Sequence, residues 1–124
     1  MFNIRIYNEA SGKKPFIEWF DDLPTKTQQG IDARLVRVEA GNLGDYKSVG
    51  KGVSELRFYF ESGYRVYFAR EGQEVILLLS AGNKSSQKHD IKKAQGFWED
   101  YLDRKDSLCV VQNSVLRCFW QLLA

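Results

Sequence analysis

The sequence predicts an α+β fold: a small antiparallel-dominated sheet with two N-terminal helices and one C-terminal helix, in the order β-α-α-β-β-β-α. Three observations carry that expectation. The opening FNIRIYN alternates apolar and polar residues with the period of a half-buried strand. Two stretches with apolar residues at helical spacing follow before Gly41. Then VSELRFYF, YRVYFAR and EVILLLSA come in quick succession, separated only by ESG and EGQ, and links that short join antiparallel neighbours.

In the first strand Phe2, Ile4 and Ile6 share one face, with Asn3, Arg5 and Tyr7 on the other. KPFIEWFDDLP places Pro15 in a first helical turn, where a missing N–H costs no hydrogen bond, and sets Phe16, Trp19, Phe20 and Leu23 along one stripe. Pro24 separates this from a second helix. There Ile31, Leu35 and Val38 recur at i, i+4 and i+7, Gly30 weakens the interior slightly, and Gly41 is the stop. GNLGDYKSVGKG reads as a loop. Its Gly50 and Gly52 lack the third glycine and the strand–turn–helix setting of a dinucleotide fingerprint. The strand EVILLLSA is apolar almost throughout, which places it centrally, covered on both faces. In the last helix Ile91, Ala94, Trp98 and Tyr101 lie at i, i+3, i+7 and i+10; Ser85 or Ser86 is its N-cap, and Asp90 suits its dipole.

Bulk properties narrow the function classes. A length of 124 residues argues for one domain. The net charge of +2, from 18 basic and 16 acidic residues, attracts a polyanion only faintly, so such a site must come from local placement of cations. One histidine with Cys109 and Cys118 fits no zinc pattern. No P-loop, serine-hydrolase elbow or trusted carboxylate pair is present, so neither metal nor cofactor is expected. No N-terminal stretch has the long apolar run of a signal peptide or membrane span, and a cytoplasmic protein with no membrane partner is expected.

The hairpin ELRFYFESGYRVYF gives the sharpest inference. Leu56, Phe58, Phe60, Val66 and Phe68 form its apolar face; Glu55, Arg57, Tyr59, Arg65 and Tyr67 form the other. A three-residue loop at 61–63 pairs Phe60 with Tyr64, Phe58 with Val66 and Arg57 with Tyr67, whereas a one-residue slip puts Arg65 on the buried face. Arg57 and Arg65 are then diagonal neighbours, roughly 7–8 Å apart. Two planar, permanently charged forks suit a phosphate, and Tyr59 and Tyr67 beside them suit stacking on bases. Arginines alternating on a strand are equally the solvated face of a half-buried sheet, and Arg57 has Glu55 within reach as a partner.

After the apolar strand comes AGNKSSQKHD. A lysine at a helix N-terminus is an anion site, which makes Lys84 a candidate, with Ser85 and Gln87 beside it. His89, the only histidine, is a candidate general acid or base, and equally an exposed loop residue.

GKGVSELRFYFESGYRVYF, VILLLSAGNKSSQKHDIKKA and FWEDYL, with the upstream FIEWFDDLP and ARLVRVEAGNLGDYKSVG, resemble the HigB-like addiction-module killer proteins of the RelE/ParE toxin superfamily. The resemblance covers about residues 1–102 and implies a RelE-like fold. It further implies a toxin of a bacterial type II toxin–antitoxin system, a metal-independent, ribosome-dependent endoribonuclease that cuts mRNA and stops translation. Its implied partners are mRNA, the ribosome and a cognate antitoxin, a helix-turn-helix protein from the adjacent gene. By that resemblance Arg65 in GYRVYF contacts the scissile phosphate, Arg57 in ELR and Lys84 in NKSSQ are the accompanying cations, and His89 is a looser match. Where such toxins place lysines before the arginine, this chain has Ser54 and Glu55, and Lys47 and Lys51 are the substitutes. A ParE-like gyrase inhibitor and an inactive antitoxin-binding relative are the alternatives.

The expected division is a toxin domain over residues 1–103 and a non-family extension over 104–124, rich in Val, Leu, Phe and Trp and holding both cysteines.

Overall fold

The computed structural model describes the backbone of residues 1–59 and 63–112, and the side chains of 1–59 and 63–105. Phe60, most of the expected hairpin loop, the tail from residue 113 with Cys118, and the side chain of Cys109 lie outside the described residues.

The order is β1 (Asn3–Ile6), α1 (Pro15–Asp21), α2 (Thr25–Glu39), β2 (Tyr46–Gly50), β3 (Val53–Arg57), β4 (Arg65–Glu71), β5 (Val75–Gly82), a 3-10 turn (Lys84–Ser86) and α3 (Gln87–Gln112). The sheet runs β1-β5-β4-β3-β2, antiparallel except where β1 joins β5. The α+β class and the central place of β5 therefore stand. Among the described residues five strands rather than four make the sheet, because the expected loop over 41–52 contains β2. Only Val49 of β2 is half-buried, so this edge strand carries no apolar alternation to betray it.

Each face of the sheet has its own core. On one, Phe16, Ile31 and Val38 of α1 and α2 pack against Leu56, Phe58, Val66, Phe68, Ile76 and Leu78. On the other, Ala94 of α3 covers Val53, Tyr67, Ala69, Leu77 and Leu79, joined by Ile91, Trp98 and Tyr101. The stripe expected for the last helix is the one that packs. α2 ends in a glycine stop: Gly41 takes φ 103°, its N–H donates to Val38 O at 2.9 Å, and Asn42 N–H donates to Arg37 O at 2.9 Å.

One local expectation is corrected. The β3–β4 register pairs Arg57 with Arg65, Leu56 with Val66 and Glu55 with Tyr67, two positions from the expected pairing. A slip of two leaves every side chain on its face, so the apolar pattern cannot distinguish the registers. Asn83 caps the 3-10 turn that leads into α3, and Ser86 directly precedes α3 with its hydroxyl donating to Asp90 in the first helical turn. Asn83 Oδ1 accepts from Ser85 N–H at 3.1 Å and from Ser85 Oγ at 2.6 Å. A bulge sets Leu79 and Ser80 together against Tyr67.

α3 runs unbroken across position 103 to Gln112. Arg104 bonds Asp100 Oδ2 at 3.0 Å and Asn8 O at 2.6 Å, and Lys105 bonds Glu71 at 3.0 Å, so both are tied to the body of the fold. Among the described residues no helix is long and apolar enough to cross a membrane.

Candidate nucleic-acid interface and active site

Register brings the site together. One row of paired residues on the α3 side of the sheet reads Lys47, Glu55, Tyr67, Ser80 across β2 to β5, and the next reads Arg57, Arg65, Gly82 across β3 to β5. Directly paired Cβ atoms stand about 4.5–5.5 Å apart, closer than the diagonal arrangement expected from sequence.

Glu55 is the hub. Its side chain is 0% exposed, and its Oε2 accepts from Arg57 Nε at 2.9 Å and Arg65 Nε at 3.0 Å. Gln87, the first residue of α3, donates its Nε2 to Glu55 Oε1 at 2.9 Å. Burial pushes the carboxyl up, but the hydrogen bonds from Arg57, Gln87 and Arg65 outweigh it and hold Glu55 below the usual carboxylate range. The pairing of Arg57 with Glu55, one of the two sequence alternatives, is thus present without displacing Arg65. Both arginines spend their inner nitrogen on Glu55, and their side chains remain 28% and 15% exposed. The outer nitrogens of each fork are the donors left for a phosphate, apart from a 3.3 Å bond from Arg65 Nη1 to Gly63 O and an Arg57 contact with the Tyr59 hydroxyl.

Two further residues brace this edge. The Arg34 guanidinium reaches in from α2, donating Nη1 to Arg57 O at 2.6 Å and Nη2 to Leu43 O at 3.0 Å and Asp45 O at 2.7 Å, with its cation 4.9 Å from the Phe58 ring centre. Asp45 accepts from the Tyr59 hydroxyl, while the Tyr59 side chain stays 78% exposed beside Arg57. Neither Arg34 nor Asp45 is legible as a site residue, since their targets are mainly backbone carbonyls and an exposed hydroxyl. Glu55 could have been found: it shares a strand face with both arginines.

The other expected residues fall on both sides of the line. Lys84 is exposed, and its Cβ and Arg65 Nη1 both border the empty space beside Gly63, within 3.7 and 3.9 Å of a Cβ placed there. Exposed Lys47 sits opposite Glu55 on the same face. Gln87 is committed to Glu55, and Ser85 to Asn83. Three expected residues lie apart from the Glu55 cluster or are buried. Tyr67 is fully buried under α3, so it cannot stack on a base. Lys51 occupies the β2–β3 turn at the far end of β3, six positions and roughly 20 Å from Arg57. His89 is exposed and lies two residues from Gln87, about 200° around the helix, so it points away from Glu55. Among the described residues no group of three or more His, Cys, Asp or Glu could hold a metal.

Comparison with known sequences adds the family. Residues 18–96 match the family described as phage derived protein Gp49-like (DUF891), a span that includes every side chain of the Glu55 cluster. A Haemophilus influenzae protein, described as uncharacterized, is 41% identical over 81 residues, covering 64% of this chain and 82% of that one.

Proposed function

The chain belongs to the Gp49-like phage-derived family, a toxin–antitoxin toxin-like family related to RelE/ParE, and from that premise we propose that it is a metal-independent endoribonuclease that cuts mRNA on the ribosome. The family implies an antitoxin partner. The observation that carries the nuclease reading is the direct pairing of Arg57 and Arg65, both anchored through Nε on buried Glu55.

The proposed step needs only the RNA, these side chains and solvent water, which takes the proton from the 2′-hydroxyl and returns one to the departing 5′-oxygen. A ribose 2′-hydroxyl attacks its own 3′-phosphate, the bond to the next 5′-oxygen breaks, and a 2′,3′-cyclic phosphate and a 5′-hydroxyl remain. Negative charge builds on the phosphoryl oxygens as the phosphorus becomes five-coordinate. Donors fixed in advance at that point stabilise it without reorganising. Arg65 and Arg57 are the catalytic cations, Lys84 adds charge at the rim, and Lys47 and the Tyr59 ring hold the strand. Glu55 is a positioning residue: with three donors on a carboxylate held ionised, it orients both forks and has little basicity to offer. Residues 1–103 are the toxin body in this reading, 104–124 an extension that adds nothing to the chemistry, and the cytoplasm is the place of action.

Mapping mRNA 5′ ends after induction in bacterial cells tests it. In-frame cuts within translated codons are expected, and they should vanish with Arg65→Ala while the variant stays folded. Growth arrest with intact mRNA and an SOS response would instead indicate gyrase inhibition. No arrest, with tight antitoxin binding, would indicate an inactive relative.

A further inference from the structure

A second polar site lies on the far side of β5. The β1 ladder ends where Ile6 pairs Leu78, while β5 continues to Gly82, so the last residues of β5 have no strand on that side among the described residues. A cavity of about 440 Å³ opens there, with Ser80 at its floor, the carboxylates of Glu9, Glu18 and Asp90 around it, and Trp19 and Phe97 among its walls. The carboxylates outnumber Lys13 and Lys93, and Lys13 stands 3.9 Å from Glu18. Ser80 is 6% exposed and its hydroxyl has no hydrogen-bond partner, a cost the fold carries without return unless a ligand meets it.

The cavity does not stop at one side chain. A neighbouring space of about 560 Å³ shares Glu9, Lys93 and Phe97 and continues along α3 past Gly96 to Asp100. Gly96 sits inside a long helix, where alanine is the better helix former. A Cβ added there meets nothing within 4 Å, so packing does not require the glycine. Its missing side chain leaves room in the groove for a ligand's main chain.

We propose that this groove, between the β1–α1 loop and α3, binds an extended segment of a protein partner through an arginine side chain. Guanidinium is planar, stacks on aromatic rings, and carries five donors for carboxylates and a lone hydroxyl. The acidic lining opposes a phosphate or carboxylate ligand. The length past Gly96 exceeds what a single side chain fills, and the open edge of β5 offers backbone pairing to an extended chain. None of this rests on the nuclease reading, since neither Arg57 nor Arg65 lines the groove.

Amide chemical-shift titration of the full chain tests the proposal, using acetyl-Gly-Gly-Arg-Gly-Gly-amide against the same peptide with neutral citrulline. The arginine peptide should give saturable shifts at Ser80, Ala81, Lys93, Gly96 and the Trp19 indole, and the citrulline peptide should bind about fivefold more weakly or worse. Glu9→Gln should weaken the arginine peptide by about fivefold. Gly96→Gln, a better helix residue that fills the groove, should abolish the shifts while keeping the fold. Equal binding of the two peptides, shifts centred on the Arg57–Arg65 face, no saturable shift at all, or indifference to Gly96→Gln would each overturn it. Growth arrest by the same variants reads out the nuclease proposal separately.

Discussion

Replacing Glu55 with glutamine isolates the charge at the centre of the arginine platform. Both arginine bonds end on Oε2, while Gln87 lies 2.9 Å from Oε1. A glutamine at 55 can keep its carbonyl toward the arginines and turn its NH2 toward Gln87, whose own amide turns over to accept. The hydrogen bonds survive in number and only the charge is lost. Charge-assisted bonds are roughly twice as strong as neutral ones, and the arginine ends are partly solvated, so the predicted destabilisation by Glu55→Gln is about 1–2 kcal/mol at pH 7. The sign of the pH dependence follows from the depressed Glu55 carboxyl. Its contribution is complete above the unfolded value of about 4.3 and disappears as pH falls through the lower folded value. Urea unfolding of both proteins from pH 7 to pH 3 should show a gap that is full at neutrality and closes in acid. A gap of the same size at both ends, or no gap at pH 7, would refute the assignment of Glu55 as the ionised anchor.

Four other substitutions probe neighbouring features. Arg65→Lys should fail to restore mRNA cutting lost in Arg65→Ala, because an ammonium cannot hold Glu55 and present a planar fork at once; recovery in the end-mapping assay would show that charge alone suffices. Tyr67→Phe removes a buried hydroxyl without a partner, so thermal unfolding should show unchanged stability or a gain of up to about 1 kcal/mol. Gly82→Ala places a Cβ 1.9 Å from Asp90 Oδ2, so the Asp90 carboxylate must turn away and release the Ser86 hydroxyl; a loss of about 0.5–1.5 kcal/mol is expected in denaturant. Tyr59→Ala should weaken binding of single-stranded RNA by about 1–3 kcal/mol in a fluorescence titration, while stability changes by no more than about 0.5 kcal/mol.

The sequence shows faces more readily than registers. Period-two alternation assigned Leu56, Phe58, Val66 and Phe68 to one core and Glu55, Arg57 and Arg65 to the other side, as the structure has them. It was silent on slips of two, which is why Arg57 meets Arg65 directly. β2 stayed hidden because an edge strand with one half-buried residue has no pattern to show. In the site, residue type drew attention to His89, although helix phase already argued against it: Ile91, Ala94 and Trp98 mark the packed stripe, Gln87 continues it, and His89 falls opposite. The role of Gln87 needed tertiary information, since 32 residues separate it from the carboxylate it meets.

The bulge in β5 is a point of slack in the chain. Before it, Ile76 and Leu78 face the two N-terminal helices; after it, Ala81 does, because Leu79 and Ser80 together oppose Tyr67. The strand changes phase halfway, and that change is what hands Gly82 to the α3 side, against Asp90 and in line with Arg65. Deleting Leu79 would therefore remove the bulge and leave a regular ladder, with Ser80 still against Tyr67, Ala81 against Val66 and Gly82 against Arg65, so Lys84 would keep its side of the sheet. Relatives can therefore lack this one residue and still present Gly82 and Lys84 beside Arg65.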